Sequence, residues 1–234
     1  MDFLIQVYNA VLYRPLFNSL ILLYKYLPGH DFGVAVIALT IIIRLVFYPL
    51  GAQAIKAQRA FSKLEPKIKE IQEKHKQDKE KMTRSLMELY QKEKINPFSG
   101  CLPLLVQLPI LIALYQVFWK GLQPEQAVYL YSFIANPGLI NPFLFNIVNL
   151  SEPYVLFSVL AGATQFLQTK MITPGKQGGA KVDGFSQMFQ KQALYLFPVF
   201  TIFILLRLPS AIGLYWTVNN IFSIIQQKLI IRKS

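Results

Sequence analysis

The sequence predicts an all-α, polytopic membrane protein with five transmembrane helices, an N-terminal interfacial helix and a cytoplasmic helical hairpin. Three observations predict it. Of the 234 residues 53% are apolar, and the mean hydropathy is positive. The apolar residues gather in long runs, and about 20 of them at roughly 1.5 Å rise cover a hydrocarbon core of about 30 Å. The cations are sorted: nineteen of the 24 Lys and Arg fall in two loops and the C-terminal tail, and four, Arg14, Lys25, Lys120 and Arg207, fall on the other side. Positive loops stay in the cytoplasm, so the C-terminus is expected inside and the N-terminus outside.

Taken in order, residues 1–30 begin with an acid and are interrupted by Arg14, Pro15 and Lys25, unlike a cleavable signal. They read as an extracytoplasmic amphipathic helix with Phe3, Val7, Leu12, Leu16, Leu20 and Leu23 on its apolar side. A core over residues 31–234 follows, with spans at about 32–52, 101–119, 154–169, 193–208 and 210–231. The third and fourth are short, which asks for bilayer thinning or shielding by neighbours.

Between the first two spans, residues 56–94 form the cytoplasmic hairpin. Pro66 fits the first turn of one helix and Asp78 the N-cap of a second. Ile68 and Ile71 face Met82, Leu86 and Leu89 or Tyr90 as thin apolar stripes at helical spacing. So little apolar surface predicts an element mobile against the membrane body; a plain charged connector is the alternative. Outside, residues 121–153 carry two Asn-Pro turns, with Tyr129 and Tyr131 expected at headgroup level. Gly175, Gly178, Gly179 and Gly184 predict a flexible second cytoplasmic loop.

Polar residues inside the spans point to function. Arg44 lies in the apolar run FGVAVIALTIIIRLVFYPLGA and cannot lose its charge. At mid-span it costs on the order of 2.5–3.5 kcal/mol on insertion scales. Thr40 lies one turn earlier on the same face. Gln107 stands between Pro103 and Pro109, which kink or open the second span. Thr164, Gln165 and Gln168 share a side of the third, and Trp216, Asn219 or Asn220, and Ser223 form a stripe on the fifth, continued by Gln226 and Gln227. No acid lies within a span: Asp31 is at the outer boundary of the first, and the others are in loops or at the N-terminus. Two readings of Arg44 stay open, snorkelling to the interface roughly 10 Å away or a wet cavity lined by the amides. For any single amide, interhelical bonding is the competing reading.

Other chemistries find little footing. Cys101 is the single cysteine, so an intrachain disulfide is impossible, and His30 and His75 lack zinc-site spacing. There is no GxSxG, HExxH, intramembrane Asp pair or phosphate-binding glycine loop, so neither an enzyme nor a cofactor is expected. A basic hairpin without interleaved stacking aromatics is a poor binder of single strands, and DNA is not an expected partner.

The run NPFSGCLPLLVQLPILIALYQVF at Asn96–Phe118, the first span with Arg44, the charged hairpin and LPSAIGLYWTVNNIFSIIQQ at Leu208–Gln227 resemble the YidC/Oxa/Alb family of membrane protein insertases, in its shorter Gram-positive type. The resemblance implies a five-helix core around a hydrophilic groove, open to the cytoplasm and sideways to lipid, in a bacterial cell membrane. It implies a substrate-binding groove of Arg44, Thr40, Gln107, Gln165, Trp216 and Asn219, with Arg44 attracting acidic residues of a substrate's short tail. It also implies a hairpin that first receives substrate, through Lys67, Lys74, Lys81 and Arg84. The family's partners are nascent membrane proteins and the lipid bilayer, with the ribosome and a Sec translocon as further candidates. The short tail after Gln227 argues against strong independent ribosome binding, and the missing lipobox cysteine suggests that the natural precursor differs at its start. The expected function is insertion and chaperoning of short-tailed membrane proteins. The alternatives are a small transporter or anion channel with Arg44 as its selectivity charge, and a scaffold.

Overall fold

The structure, a computed structural model, describes residues 2–93, 102–121, 123–172 and 192–233. Lys94, Asn96, Cys101 and the glycines of the second cytoplasmic loop lie outside the described residues.

The chain opens with α1 (Asp2–Tyr8), a π-helical turn (Asn9–Tyr13) and α2 (Arg14–Tyr26). Pro15 follows the π-helical turn in a helical run without a break from Asp2 to Tyr26, so its missing N–H costs that run one bond. After a tight turn with Gly29 at φ +83°, Asp31 caps α3 (Phe32–Val46), its carboxylate accepting from Val34 N at 2.9 Å. Next come α4 (Tyr48–Lys74), α5 (Lys79–Lys92) and α6 (Leu102–Lys120). A 3-10 turn (Pro124–Tyr129) leads to the antiparallel β1 (Phe143–Leu144) and β2 (Val148–Asn149), which pair Phe143 with Asn149 and Leu144 with Val148. The chain ends with α7 (Val155–Ile172), a π-helical turn (Gln192–Leu196), α8 (Phe197–Leu205) and α9 (Ser210–Lys233).

The protein is mostly helical, and α9 is its hub, packed on α7 and α3 and touching α4, α6 and α8. The core joins Phe17, Leu20 and Ile21 of α2 to Val36 and Leu39 of α3, Leu114, Val117 and Phe118 of α6, and Tyr215 of α9. At Gly162 of α7 a Cβ would run into the side chain of Ile202 and come within 3.0 Å of Pro198 O, so glycine sets how closely α7 and α8 approach. The outer surface is apolar too: Ile42, Leu45, Val46, Ile112, Val155, Val199, Phe200 and Phe203 are all exposed. Hydrocarbon, not water, stabilises such a surface.

The structure departs from the sequence expectations at three places. The first span is broken at Phe47 (φ −90°, ψ 11°), where Pro49 occupies the first turn of a new helix. Phe32–Val46 and Tyr48–Leu64 meet at 65° and together have the length and composition of a span; among the described residues no single helix is long and apolar enough to cross a membrane. Pro66 sits inside α4 and does not begin a helix. An interior proline costs about 3 kcal/mol, and burial of Leu64 and Ile68, four residues apart on one face across it, offsets that loss.

The N-terminal segment divides. Phe3 and Val7 are exposed, as an interfacial helix requires, while Leu20 of α2 is buried in the core with Phe17 and Ile21. Tyr129 and Tyr131 pack inward. Tyr129 stands edge-on to Tyr13 at 5.3 Å, and the Arg14 guanidinium lies 5.0 Å from the Tyr131 ring centre. Buried Asn18 fastens this loop by donating to Tyr129 O (2.9 Å) and accepting from Tyr131 N (2.8 Å). Tyr13 donates to Gln126 Oε1 at 2.6 Å, and its burial there pushes the phenol up to about 12.

Candidate functional site

A polar cavity of about 370 Å³ lies between the α3–α4 joint, α6, α7 and α9. Arg44 enters it from the last turn of α3, where the unpaired carbonyls of a helix end favour a cation. Its Nε donates to Asn219 Oδ1 of α9 at 2.5 Å. Among the described residues it is the sole charged group in the lining, with no acid beside it. The other polar walls are amides and hydroxyls, including eight Asn or Gln side chains.

Each wall has a local cause. Ser223 donates to Asn219 O at 2.9 Å, keeping its own hydroxyl occupied inside α9. One turn nearer the start of α9, the Tyr215 hydroxyl accepts from Gln107 Nε2 of α6. Asn220 binds α9 to α7, donating to Ala161 O and Thr164 Oγ1, each at 3.2 Å. Gln226 binds α9 to the start of α4 by donating to Tyr48 O at 2.9 Å. Gly51 permits that contact, since a Cβ there would lie 3.0 Å from Gln226 Oε1. Gln165 lines the cavity, yet its Oε1 is buried without a hydrogen-bond partner.

The structure thus gathers Arg44, Gln107, Gln165, Trp216 and Asn219 around one cavity. Thr40 is outside the lining; it is buried, and its hydroxyl donates to Val36 O at 2.7 Å within its own helix. Sequence reasoning missed Tyr215 and Gln58. A tyrosine hydroxyl inside an apolar run needs a partner, which is the signal that could have found Tyr215. Gln58 gave none, because its position on the wall follows from the bend at Phe47.

A second, almost wholly apolar cavity of about 300 Å³ opens between α6, α8 and α9, and shares Leu111 and Trp216 with the polar one. A polar chamber and an apolar slot therefore meet at one wall.

Of the four hairpin cations singled out from the sequence, three are engaged within the hairpin. Lys67 Nζ meets Glu93 Oε1 at 2.6 Å, Lys81 meets Asp78 at 3.2 Å, and Arg84 meets Glu88 at 3.4 Å. Lys74 closes α4 in its last turn. The Lys67 ammonium holds the Glu93 carboxyl below its usual range, and hydrogen bonds from Lys81 do the same for Asp78. The Phe61 and Tyr90 rings, 5.8 Å apart, add the apolar contact between the two helices.

The family described as "60Kd inner membrane protein" matches residues 22–234. The chain is similar to a "Membrane protein insertase YidC" of Geobacter metallireducens, 38% identical over 223 residues that cover 94% of this chain and 37% of the relative. A relative of the same name from Geobacter sulfurreducens is 37% identical over 95% of this chain and 38% of its own, and one from Nitratidesulfovibrio vulgaris is 35% identical over 94% and 38%. The chain spans a little over a third of the length of these curated relatives. The matched segment takes in every helix from α3 onward, and with them the whole polar cavity. The chain belongs to the 60Kd inner membrane protein family, the YidC/Oxa/Alb family of membrane insertases.

Proposed function

We propose that the chain is a membrane protein insertase and chaperone, carrying a short hydrophilic segment across a bacterial cell membrane while the adjoining apolar helix leaves into lipid. One observation carries the reading. A permanently charged side chain is held by a neutral amide in a polar cavity, within a bundle whose outer face is apolar. A buried cation without a counter-ion is costly unless polar groups surround it; its missing partner arrives with the substrate.

In this reading the α3–α4 pair, α6, α7, the α8 segment and α9 are the five spans, the N-terminus is outside, and the hairpin faces the cytoplasm. The cavity shortens the hydrocarbon path that a polar tail must cross. Arg44, Gln107, Gln165, Trp216 and Asn219 form the groove, and Arg44 offers an acidic tail a transient partner. The hairpin, with Lys67, Lys74, Lys81 and Arg84, meets the substrate first; ribosome and Sec translocon are further proposed partners. Release follows from burying the substrate's apolar helix, at about 25 cal/mol per Å², and from the membrane potential acting on negative charge moved outward.

Reconstitution of the purified chain in vesicles with a single-span, acidic-tailed substrate tests this. Insertion above protein-free vesicles is expected, reduced in Arg44→Ala and kept in Arg44→Lys. A chain that conducts anions and leaves insertion unchanged would refute it.

A further inference from the structure

The amide orientations in the cavity are fixed by what they touch. Asn220 and Gln226 each give their NH2 to a backbone carbonyl, of Ala161 and Tyr48, and a carbonyl can only accept. Their own oxygens are left without a protein partner among the described residues. Gln165 Oε1 is in the same condition, and is buried. Asn219 is turned the other way, its oxygen taken by the guanidinium, a pure donor. Three of the cavity's amides, Gln107, Asn220 and Gln226, thus spend donors on the protein, and the oxygens of Asn220, Gln226 and Gln165 stay in reserve near one cation.

That pattern goes beyond what a carboxylate needs. An acidic side chain would use Arg44 and leave the neighbouring oxygens idle. Free acceptors beside a donor group match an extended peptide backbone, in which N–H and C=O groups recur at every residue. Those groups are also what a bilayer rejects most strongly in a chain that is neither helix nor closed barrel.

We infer that the cavity receives a substrate's extended backbone through its N–H groups, with Gln165, Asn220 and Gln226 oxygens as acceptors and Arg44 as donor to a backbone carbonyl. This rests on the insertase reading and adds the peptide group to the acidic side chain as a feature recognised. Gln165 is the most telling of the three. Its terminal torsion is broad, so its oxygen can turn to an entering N–H and satisfy a group that is otherwise buried unpaired.

The test uses the full chain in vesicles of phosphatidylethanolamine and phosphatidylglycerol. Two synthetic single-span substrates carry the same short Gly-Ser tail, one with amide links and one with ester links, which keep the carbonyls and lose the N–H groups. The readout is the insertion rate relative to protein-free vesicles. The expected acceleration is about fivefold greater for the amide tail, the factor that one hydrogen bond of ordinary net strength carries. Gln165→Met should remove much of that excess, while a thermal midpoint in detergent equal to the parent's shows the variant to be folded; Gln165→Glu, which keeps an acceptor, should retain it. Equal acceleration of both tails, or a Met variant that slows both alike, overturns the inference and leaves the insertase reading standing. Acceleration of neither tail rejects both.

Discussion

Arg44 and Asn219 are joined by a 2.5 Å bond from Nε to Oδ1, which ties the last turn of α3 to the middle of α9 and leaves the positive charge unneutralised. Asn219→Asp would place a carboxylate at the same spot and pair the charge internally. Insertion of acidic-tailed substrates should then fall roughly tenfold, the factor that 1.4 kcal/mol carries, and neutral tails should lose less. Undiminished insertion of acidic tails by this variant would show that the free charge of Arg44 does not attract them.

Asp31 carries two duties with one carboxylate, capping α3 at Val34 N and accepting from Phe145 N in the β1–β2 turn. Asp31→Ala removes both. The loss of the cap alone costs about 0.5–2 kcal/mol, so the thermal midpoint in detergent should drop, with Asp31→Asn falling less. An unchanged midpoint would mean that the outer cap is held by other contacts, Asn18 foremost.

Gly162 lets α7 and α8 approach within the reach of Ile202. Gly162→Val should overpack that contact at a cost of about 1–3 kcal/mol, and Ile202→Ala in the same chain should restore part of it. If the double variant is no better than the single one, the close approach is not what the glycine serves.

The hairpin should loosen in acid. Glu93 and Asp78 both have lowered carboxyl pKa values when folded, through Lys67 and through Lys81 respectively. Their stabilisation is present above the ordinary values of 4.5 and 3.8, and is lost as pH falls through the lowered ones. Amide exchange in α5, corrected for its intrinsic pH dependence, should therefore be better protected at about pH 6 than below about pH 3. Glu93→Gln should weaken that difference. Equal protection at both values would assign the docking of α5 to the Phe61–Tyr90 contact.

The helical character and the polar cavity were legible because both are written in residue type. A charge in an apolar run and amides at helical spacing stand out without any knowledge of packing, and Asp78 caps α5 by accepting from Lys81 N as its position before a charged run suggests. What was not legible depends on distant contacts. Phe47 carries no sign of a break, and the bend is shared between Pro49 and the bond from Gln226, 178 residues away. Pro66 reads locally as a helix start, and only the burial of Leu64 and Ile68 carries α4 through it. Thr40 has the right period to stand beside Arg44, but its hydroxyl turns back on Val36 O, a choice that helical spacing does not reveal.

The joint at Phe47 makes α4 a lever. Its 27 residues extend about 40 Å at 1.5 Å per residue. A rotation of about 10° at the joint would carry the far tip of the hairpin through about 7 Å on that length. Gly51, one turn from the fulcrum, would shift by about 1 Å in the same swing, and Gln58, three turns out on the chamber wall, by about 3 Å. The wide arc of the outer arm is thus passed, scaled down, to the α4 wall of the chamber at its root.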